Sequence, residues 1–136
     1  MRIFLDANIL FSAARADGAI RTLLALLRAR QHILVASPSV LIEARRNLEH
    51  KANATALSDL VAIQSTLEIS SREHRDGSVT HTAWLPTKDR LVLAAAIALK
   101  CDALVTGDKT HFGSGYGERV GNVLILSPRM AAERLL

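Results

Sequence analysis

Short apolar runs alternate along the chain with longer segments in which apolar residues recur every three or four positions. The runs are rich in Ile, Val and Leu, which is typical of strands buried on both faces of a parallel sheet. The predicted strands are Ile3–Leu5, His32–Ala36, Leu67–Ile69, Ala103–Val105 and Val123–Leu126.

The segments between these runs predict helices, because their apolar residues fall on one face at a period near 3.6. Ser37 and Ser127 are each followed by proline, a helix-start signal in which serine caps and proline takes the first helical position. Asn8 and Thr87 are the expected caps of two further helices. The predicted helices span residues 9–15, 19–30, 38–50, 53–67, 87–99 and 128–136. Alternating strands and helices predict an α/β fold, with a central parallel sheet of four to five strands and helices on both faces.

Length and composition favour one folded unit. The 136 residues are expected to form a single domain over residues 1–136, and 49% hydrophobic residues is too high a share for a disordered chain. The single cysteine, Cys101, lies in an apolar stretch and is expected in the core, which fits a reducing compartment such as the cytoplasm. We find no signal-peptide pattern and no membrane-spanning stretch, so no membrane partner is expected.

Four acidic residues stand close to predicted strand ends or helix starts. Asp6 directly follows the first strand, Asp108 follows the Ala103–Val105 strand after a short turn, and Asp89 lies in the first turn of a very apolar helix. Glu43 lies at the edge of the inner side of the helix that follows the second strand. Because ligands bind beyond the carboxyl ends of strands in open α/β sheets, we expect these acids to converge there. Each acid taken alone is better explained as a helix cap, a helix-dipole partner, a turn former or a solvated surface residue, and only the joint pattern favours a site.

A convergent group of carboxylates predicts a metal site. Two carboxylates about 4 Å apart repel by about 4 kcal/mol at an effective dielectric of about 20, so four of them hold either protons or cations. Oxygen ligands without histidine or cysteine select Mg²⁺ or Mn²⁺. His74, His81 and His111 are expected on the surface or in loops rather than as ligands, because no pair of them has zinc spacing.

Four sequence blocks resemble those of the PIN domain family, in the same order and with the same spacing. The similarity covers nearly the whole chain, and its length and motif style are closest to the small bacterial PIN proteins that include VapC-like toxins. The blocks are Leu5–Leu10 (LDANIL), Ser37–Glu43 (SPSVLIE), Lys88–Ala96 (KDRLVLAAA) and Leu104–Lys109 (LVTGDK).

The resemblance implies a metal-dependent endoribonuclease that leaves 5′-phosphate and 3′-hydroxyl ends. It implies that Asn8 and Thr106 orient the carboxylates or the attacking water, and that one or two Mg²⁺ or Mn²⁺ ions are bound. Some relatives carry further acids where this chain has Pro86 and Thr110, so a second metal site is in doubt. An RNA substrate, a cognate antitoxin protein and a homodimer are the implied partners. The implied metal ligands are Asp6, Glu43, Asp89 and Asp108.

Basic residues flank the acidic blocks. The chain has 17 lysines and arginines against 13 acids, so grouping four acids in one pocket leaves a clearly basic remainder. Such a surface suits a polyanionic partner, although ordinary solvation of helix faces explains the same residues. The candidate phosphate contacts are Lys109, which is the first choice, and Arg15, Arg46 and Arg90, with Arg45 and Lys88 beside the same blocks.

Two other functional classes remain open at this point. A phosphoacceptor or phosphotransferase also places an aspartate after the first strand, but Asn8 stands where one such type needs a general acid. For a receiver-type domain, Glu68 is the nearest candidate acceptor. A non-catalytic interaction module would keep the PIN-like fold without turnover, and the presence of all four carboxylates argues against it.

Overall fold

The structure, a computed structural model, describes residues 1–51, 54–71 and 82–136. The predicted irregular segment at 70–82 therefore lies mostly outside the described residues, together with His74 and His81. The strands are β1 (Arg2–Leu5), β2 (Ile33–Ala36), β3 (Glu68–Ile69), β4 (Ala103–Val105), β5 (Arg119–Val120) and β6 (Val123–Leu126). The helices are α1 (Ala7–Arg15), α2 (Ala19–Ala29), α3 (Pro38–Lys51), α4 (Ala54–Gln64), α5 (Thr87–Ala98), α6 (Lys109–Phe112) and α7 (Pro128–Leu135), with a 3₁₀ turn at Gly113–Gly115.

The strands form one sheet in the order β3-β2-β1-β4-β6-β5. The first five strands in this order pair in parallel, which confirms the predicted parallel α/β sheet. The crossovers from β1 to β2 and from β3 to β4 run in opposite directions along the sheet. Because such crossovers are right-handed, their helices lie on opposite faces. The antiparallel edge strand β5, which pairs with β6, was not predicted.

The core lies around the two central strands. All three residues of β4 and the last three of β1 are fully buried, and α5 contributes Leu93 and Ala96 at 0% exposure. Each large aliphatic side chain buried in this way stabilises the fold by about 1.5–3 kcal/mol. Cys101 is buried as expected, and its burial raises the pKa of the thiol to about 11. Within the described ranges, none of the helices is long and apolar enough to cross a bilayer.

The helix starts agree with the serine–proline signals but not with the other two predicted caps. The Ser37 and Ser127 hydroxyls accept hydrogen bonds from the backbone N–H groups of Val40 and Met130, at 3.4 and 3.1 Å. The prediction for Asn8 was wrong, because α1 begins at Ala7, two residues earlier than predicted, and Asp6 is its cap. The prediction for Thr87 was also wrong, because Thr87 is already the first helical residue and Pro86 precedes it without a side-chain cap.

A two-residue turn joins β5 to β6. Gly121 and Asn122 have φ values of 54° and 68°, and positive φ at both central residues is the type I′ geometry that suits a tight hairpin. A Cβ on Gly121 would lie 2.7 Å from Cδ1 of Ile97 on α5. The turn therefore needs glycine both for its backbone conformation and for its close packing on α5.

Replacing Gly121 by alanine is expected to lower the free energy of unfolding by about 1–3 kcal/mol, since it adds left-handed backbone strain and a clash with Ile97. The matched control is Gly18→Ala, at an extended position where a Cβ would meet nothing within 4 Å. We expect it to change stability by less than about 0.5 kcal/mol, because lower chain entropy and a poorer helix cap offset each other. Urea unfolding of both variants measures the two changes in stability. Equal losses of stability would contradict a specific need for glycine at position 121.

Candidate active site

The candidate site lies where the sheet changes direction. From β1 the chain proceeds outward to β2 and β3, and it returns to the other side of β1 to add β4 and β6. The boundary between β1 and β4 is therefore the topological switch point, where α/β proteins of this kind open a crevice at the carboxyl ends of the strands. Asp6 directly follows β1 there, and Thr106 directly follows β4.

Asp6 is the central carboxylate of this boundary, and only 5% of its surface is exposed. One oxygen accepts the backbone N–H of Ala7 at 2.8 Å. The other oxygen accepts the Thr106 hydroxyl at 2.8 Å and the Asn8 side-chain amide at 3.2 Å. A buried carboxylate needs such donors to offset its lost hydration. The bond to Thr106 also ties the end of β1 to the end of β4.

Asn8 and Thr106 connect the two loops of the site. The Asn8 side-chain oxygen accepts the backbone N–H of Gly107 at 2.7 Å, and the Thr106 hydroxyl accepts the backbone N–H of Asp108 at 3.1 Å. The Tyr116 hydroxyl donates to the backbone oxygen of Thr106 at 2.8 Å, a contact that sequence reasoning missed. These bonds fix the backbone that carries Asp108.

Asp89 and Asp108 meet at one imidazole. Nδ1 of His111 lies 3.0 Å from Oδ2 of Asp89 and 2.8 Å from Oδ2 of Asp108. One ligand atom from each of these three residues lies within 4.8 Å of the other two. Asp89 comes from the first turn of α5, whereas Asp108 caps α6 by accepting the backbone N–H of His111 at 3.1 Å. His111 lies at the surface as expected, with its side chain 46% exposed, but its contact with two of the predicted carboxylates was not predicted.

Glu43 lies beside this group rather than within it. Its carboxylate is paired with the ammonium of Lys88, the residue that precedes Asp89. Both residues line a groove of about 680 Å³ between α3 and α5, together with Arg46, Asn47 and Val92. The groove is therefore lined by one acid, two cations and several apolar side chains.

The four predicted carboxylates influence one another electrostatically. Burial is the main cause that raises the pKa of Asp6, and the negative charges of Glu43 and Asp89 raise it further against the hydrogen bonds from Thr106 and Ala7. Burial also raises the pKa of Asp89. His111 and Lys88 lower that pKa, while Asp108 and Glu43 raise it, and the net shift is upward. The site therefore holds more negative charge than its own cations neutralise.

The four candidate phosphate contacts differ in their surroundings. Lys109, Arg15 and Arg46 are exposed, and the Arg15 guanidinium lies over the Phe11 ring at 5.8 Å from its centroid. Arg90 instead donates to backbone oxygens of the segment that leads into α5. Its acceptors are the carbonyl oxygens of Leu85 at 2.8 Å, Thr82 at 3.0 Å and Ala83 at 3.4 Å.

Fold and site together define an α/β protein that collects carboxylates at the switch point of a parallel sheet. A family model for the PIN domain matches residues 2–110, and the chain belongs to the PIN domain family. The comparison with curated protein sequences gave no significant match.

Two solved structures share this fold. VapBC2 from Rickettsia felis, solved bound to a DNA fragment from its promoter, superposes with a TM-score of 0.63 at 24% identity. That match covers 93% of this chain and 98% of the other. VapC20 from Mycobacterium tuberculosis, a toxin that cleaves the sarcin–ricin loop, gives a TM-score of 0.58 at 17% identity, over 87% of this chain and 98% of the other.

The raised pKa of Asp89 predicts a gain in stability when its charge is removed. Between its ordinary and its raised pKa, the folded protein binds more protons than the unfolded chain, so stability falls as pH rises through that window. In EDTA at pH 7, Asp89→Asn is therefore expected to stabilise the protein by about 0.5–2 kcal/mol, the usual gain when a strained functional site is relaxed. Urea unfolding at pH 7 and pH 4 measures the free energy of unfolding of both proteins. The stability gained by Asp89→Asn should be smaller at pH 4.

The exposed Asp17 supplies the control for this comparison. Asp17→Asn should leave the unfolding free energy nearly unchanged at both pH values, because a solvated carboxylate gains little from neutralisation. A loss of stability in Asp89→Asn at pH 7 would contradict the electrostatic description of the site.

Proposed function

We propose that this chain is an Mg²⁺- or Mn²⁺-dependent endoribonuclease and the toxin of a toxin–antitoxin pair. The observation that carries the proposal is that oxygens of Asp89 and Asp108 lie within 4.8 Å of each other at the switch point of a PIN fold, where Glu43 and Asp89 also repel the charge of Asp6. Repulsion of this kind is unfavourable in a protein without a function for it, and a divalent cation removes it.

The donor atoms fit a divalent cation. Asp89 and Asp108 offer oxygens that lie within 4.8 Å of each other and of the His111 nitrogen. Asp6 and Glu43 add negative charge next to them, against the single ammonium of Lys88. We therefore assign the ion to Asp89 and Asp108, with Asp6 and Glu43 as further carboxylates of the same site.

A divalent ion bound there supplies a water of lowered pKa and neutralises charge on the scissile phosphate. The chain's own residues keep the acids in place for this chemistry. Thr106 and Asn8 hold the Asp6 carboxylate from two sides, and the backbone of Asp108 is fixed through the Thr106 hydroxyl. Pro86 and Thr110 bring no further carboxylate, so we propose that one tightly bound ion suffices.

RNA is the proposed substrate because the surface outside the carboxylate group is basic. Lys109 follows Asp108 directly and is exposed, as are Arg15 and Arg46, so their charges are accessible to phosphates. Arg90 is a less suitable phosphate contact, because its guanidinium already donates hydrogen bonds to three backbone oxygens. The buried thiol of Cys101 agrees with the cytoplasm as the proposed compartment.

The proposed partner is a cognate antitoxin protein, with homodimerisation as a second form of association. The support is the family and the likeness to a solved VapBC complex. An antitoxin would silence the nuclease by covering the carboxylates or the groove between α3 and α5.

The phosphoacceptor alternative is less well supported. Both oxygens of Asp6 accept hydrogen bonds inside the fold, and Asn8 is engaged with Gly107 rather than open to a leaving group. Glu68 forms an ion pair with Arg2 at 2.6 Å, which lowers the pKa of Glu68 and explains the acid without phosphoryl chemistry.

Cleavage of a mixed RNA pool tests the nuclease directly. We expect cleavage in Mn²⁺ or Mg²⁺ that leaves 5′-phosphate ends and stops in EDTA. Asp6→Asn and Asp108→Asn should each reduce the rate by at least about 100-fold, since each removes charge from the proposed metal site. End mapping by sequencing and rates from labelled RNA supply the measurements.

The matched control is Asp17→Asn, an exposed acid outside the site, which should cleave at the wild-type rate. Circular dichroism must show the same fold in all variants. Cleavage that persists in EDTA, or in the Asp6 variant, would refute the proposed mechanism. Folded wild-type protein that binds no Mn²⁺ would favour the non-catalytic interaction module.

The toxin assignment makes a separate prediction in cells. Induced expression of the wild-type chain should arrest bacterial growth, whereas the Asp108→Asn variant should not, because arrest requires RNA cleavage. Co-expression of the protein encoded next to this chain should restore growth. Growth rates of the three strains measure the effect, and unimpeded growth with active enzyme would point to an RNA-processing nuclease instead.

A further inference from the structure

The His111 imidazole contacts two of the carboxylates of the site, and the sequence did not predict this contact. It lies on α6, and the next residue, Phe112, is fully buried and packs edge-on against Trp84 with ring centroids 6.3 Å apart. This anchor fixes the backbone at His111, so the direction of its ring is set by the fold rather than by a loose loop.

The ring nitrogen is placed where two carboxylates converge. Nδ1 lies 3.0 Å from one Asp89 oxygen and 2.8 Å from one Asp108 oxygen. One nitrogen and two carboxylate oxygens therefore lie close enough together to bind one cation.

The ring is not needed to hold the Asp108 carboxylate, which has a backbone partner of its own. Asp108 is positioned by main-chain atoms, because its Oδ1 accepts the backbone N–H of His111 and its own N–H donates to Thr106. Asp89 is only 6% exposed and is carried by the first turn of α5. Support of Asp108 therefore does not by itself account for an imidazole at this point.

We propose that Nδ1 of His111 is a ligand, together with Asp89 and Asp108, of the divalent ion of this site. The inference rests on the proposed function to the extent that an ion binds there at all. A nitrogen ligand changes which ion is preferred, because Mg²⁺ favours oxygen ligands only, whereas imidazole suits transition metals. The mixed site thus selects Mn²⁺ over Mg²⁺.

Pulsed EPR of Mn²⁺ bound to the tag-free full chain tests this without relying on cleavage. Wild-type protein should show coupling of Mn²⁺ to a histidine nitrogen, and the coupling should change to the ¹⁵N pattern when the histidines are ¹⁵N-labelled. His111→Ala should abolish the coupling. His50→Ala, an exposed histidine on α3, is the matched control and should retain it.

Titration calorimetry measures the preference of the site for Mn²⁺ over Mg²⁺. His111→Ala should weaken Mn²⁺ binding by at least about tenfold, as the loss of even indirect partners of a metal site does. Mg²⁺ binding should weaken much less. His111→Gln keeps a polar side chain in a folded protein, and it should bind Mn²⁺ without nitrogen coupling and with a smaller preference over Mg²⁺.

The outcomes separate this inference from the proposed function. Wild-type protein that binds no Mn²⁺ would overturn both. Mn²⁺ bound without nitrogen coupling, or coupling that survives in His111→Ala, would overturn the ligand role of His111 and leave the carboxylate nuclease standing. Equal loss of Mn²⁺ and Mg²⁺ affinity in His111→Ala would refute the selectivity.

Discussion

The hydrogen bond between Asp6 and Thr106 is the contact on which the site depends. It joins the ends of the two central strands, β1 and β4, at a carboxylate that is almost completely buried. Ala7 and Asn8 supply the other donors, yet the pKa of Asp6 remains raised, so the donors do not fully offset burial and neighbouring charge. The fold thus maintains an unfavourable charge at its centre. Packing of the surrounding core offsets that cost, because the fully buried strands supply far more free energy than one carboxylate removes.

The cations next to the acids come from the same short segments as the acids themselves. Lys88 precedes Asp89 and pairs with Glu43, and His111 follows Asp108 by three residues and contacts both aspartates. These contacts therefore join three segments that are far apart in sequence, which carry Glu43, Lys88 with Asp89, and Asp108 with His111. This arrangement lowers the repulsion enough for folding, yet it leaves an excess of negative charge for an ion.

Much of the fold followed from local sequence patterns, whereas parts of the site depend on tertiary packing. Apolar runs and serine–proline starts identified the five parallel strands and their helices. The two-residue strand β5 is too short for a period to appear, although Gly121-Asn122 between two valines is a hairpin signal. Asp6 and Asp108 were predicted from their positions after strands, and Asp89 and Glu43 from their positions on helices beside the same edge of the sheet. His111 was missed because its contact with Asp89 requires α6 to pack against α5, which no local pattern encodes.

The Lys88–Glu43 pair and the contact between His111 and Asp89 differ in the solvent exposure of their carboxylates. The Lys88 side chain is 68% exposed and its partner 30%, and exposed ion pairs contribute about 1 kcal/mol or less. Such a pair rearranges readily, so in the proposed nuclease an incoming phosphate would pair with Lys88 and free Glu43 for the proposed ion. Asp89, by contrast, has a side chain only 9% exposed, and burial strengthens each of its interactions. In the proposed nuclease, the well-buried Asp89 would therefore engage the ion first, and Glu43 would join it when the substrate arrives.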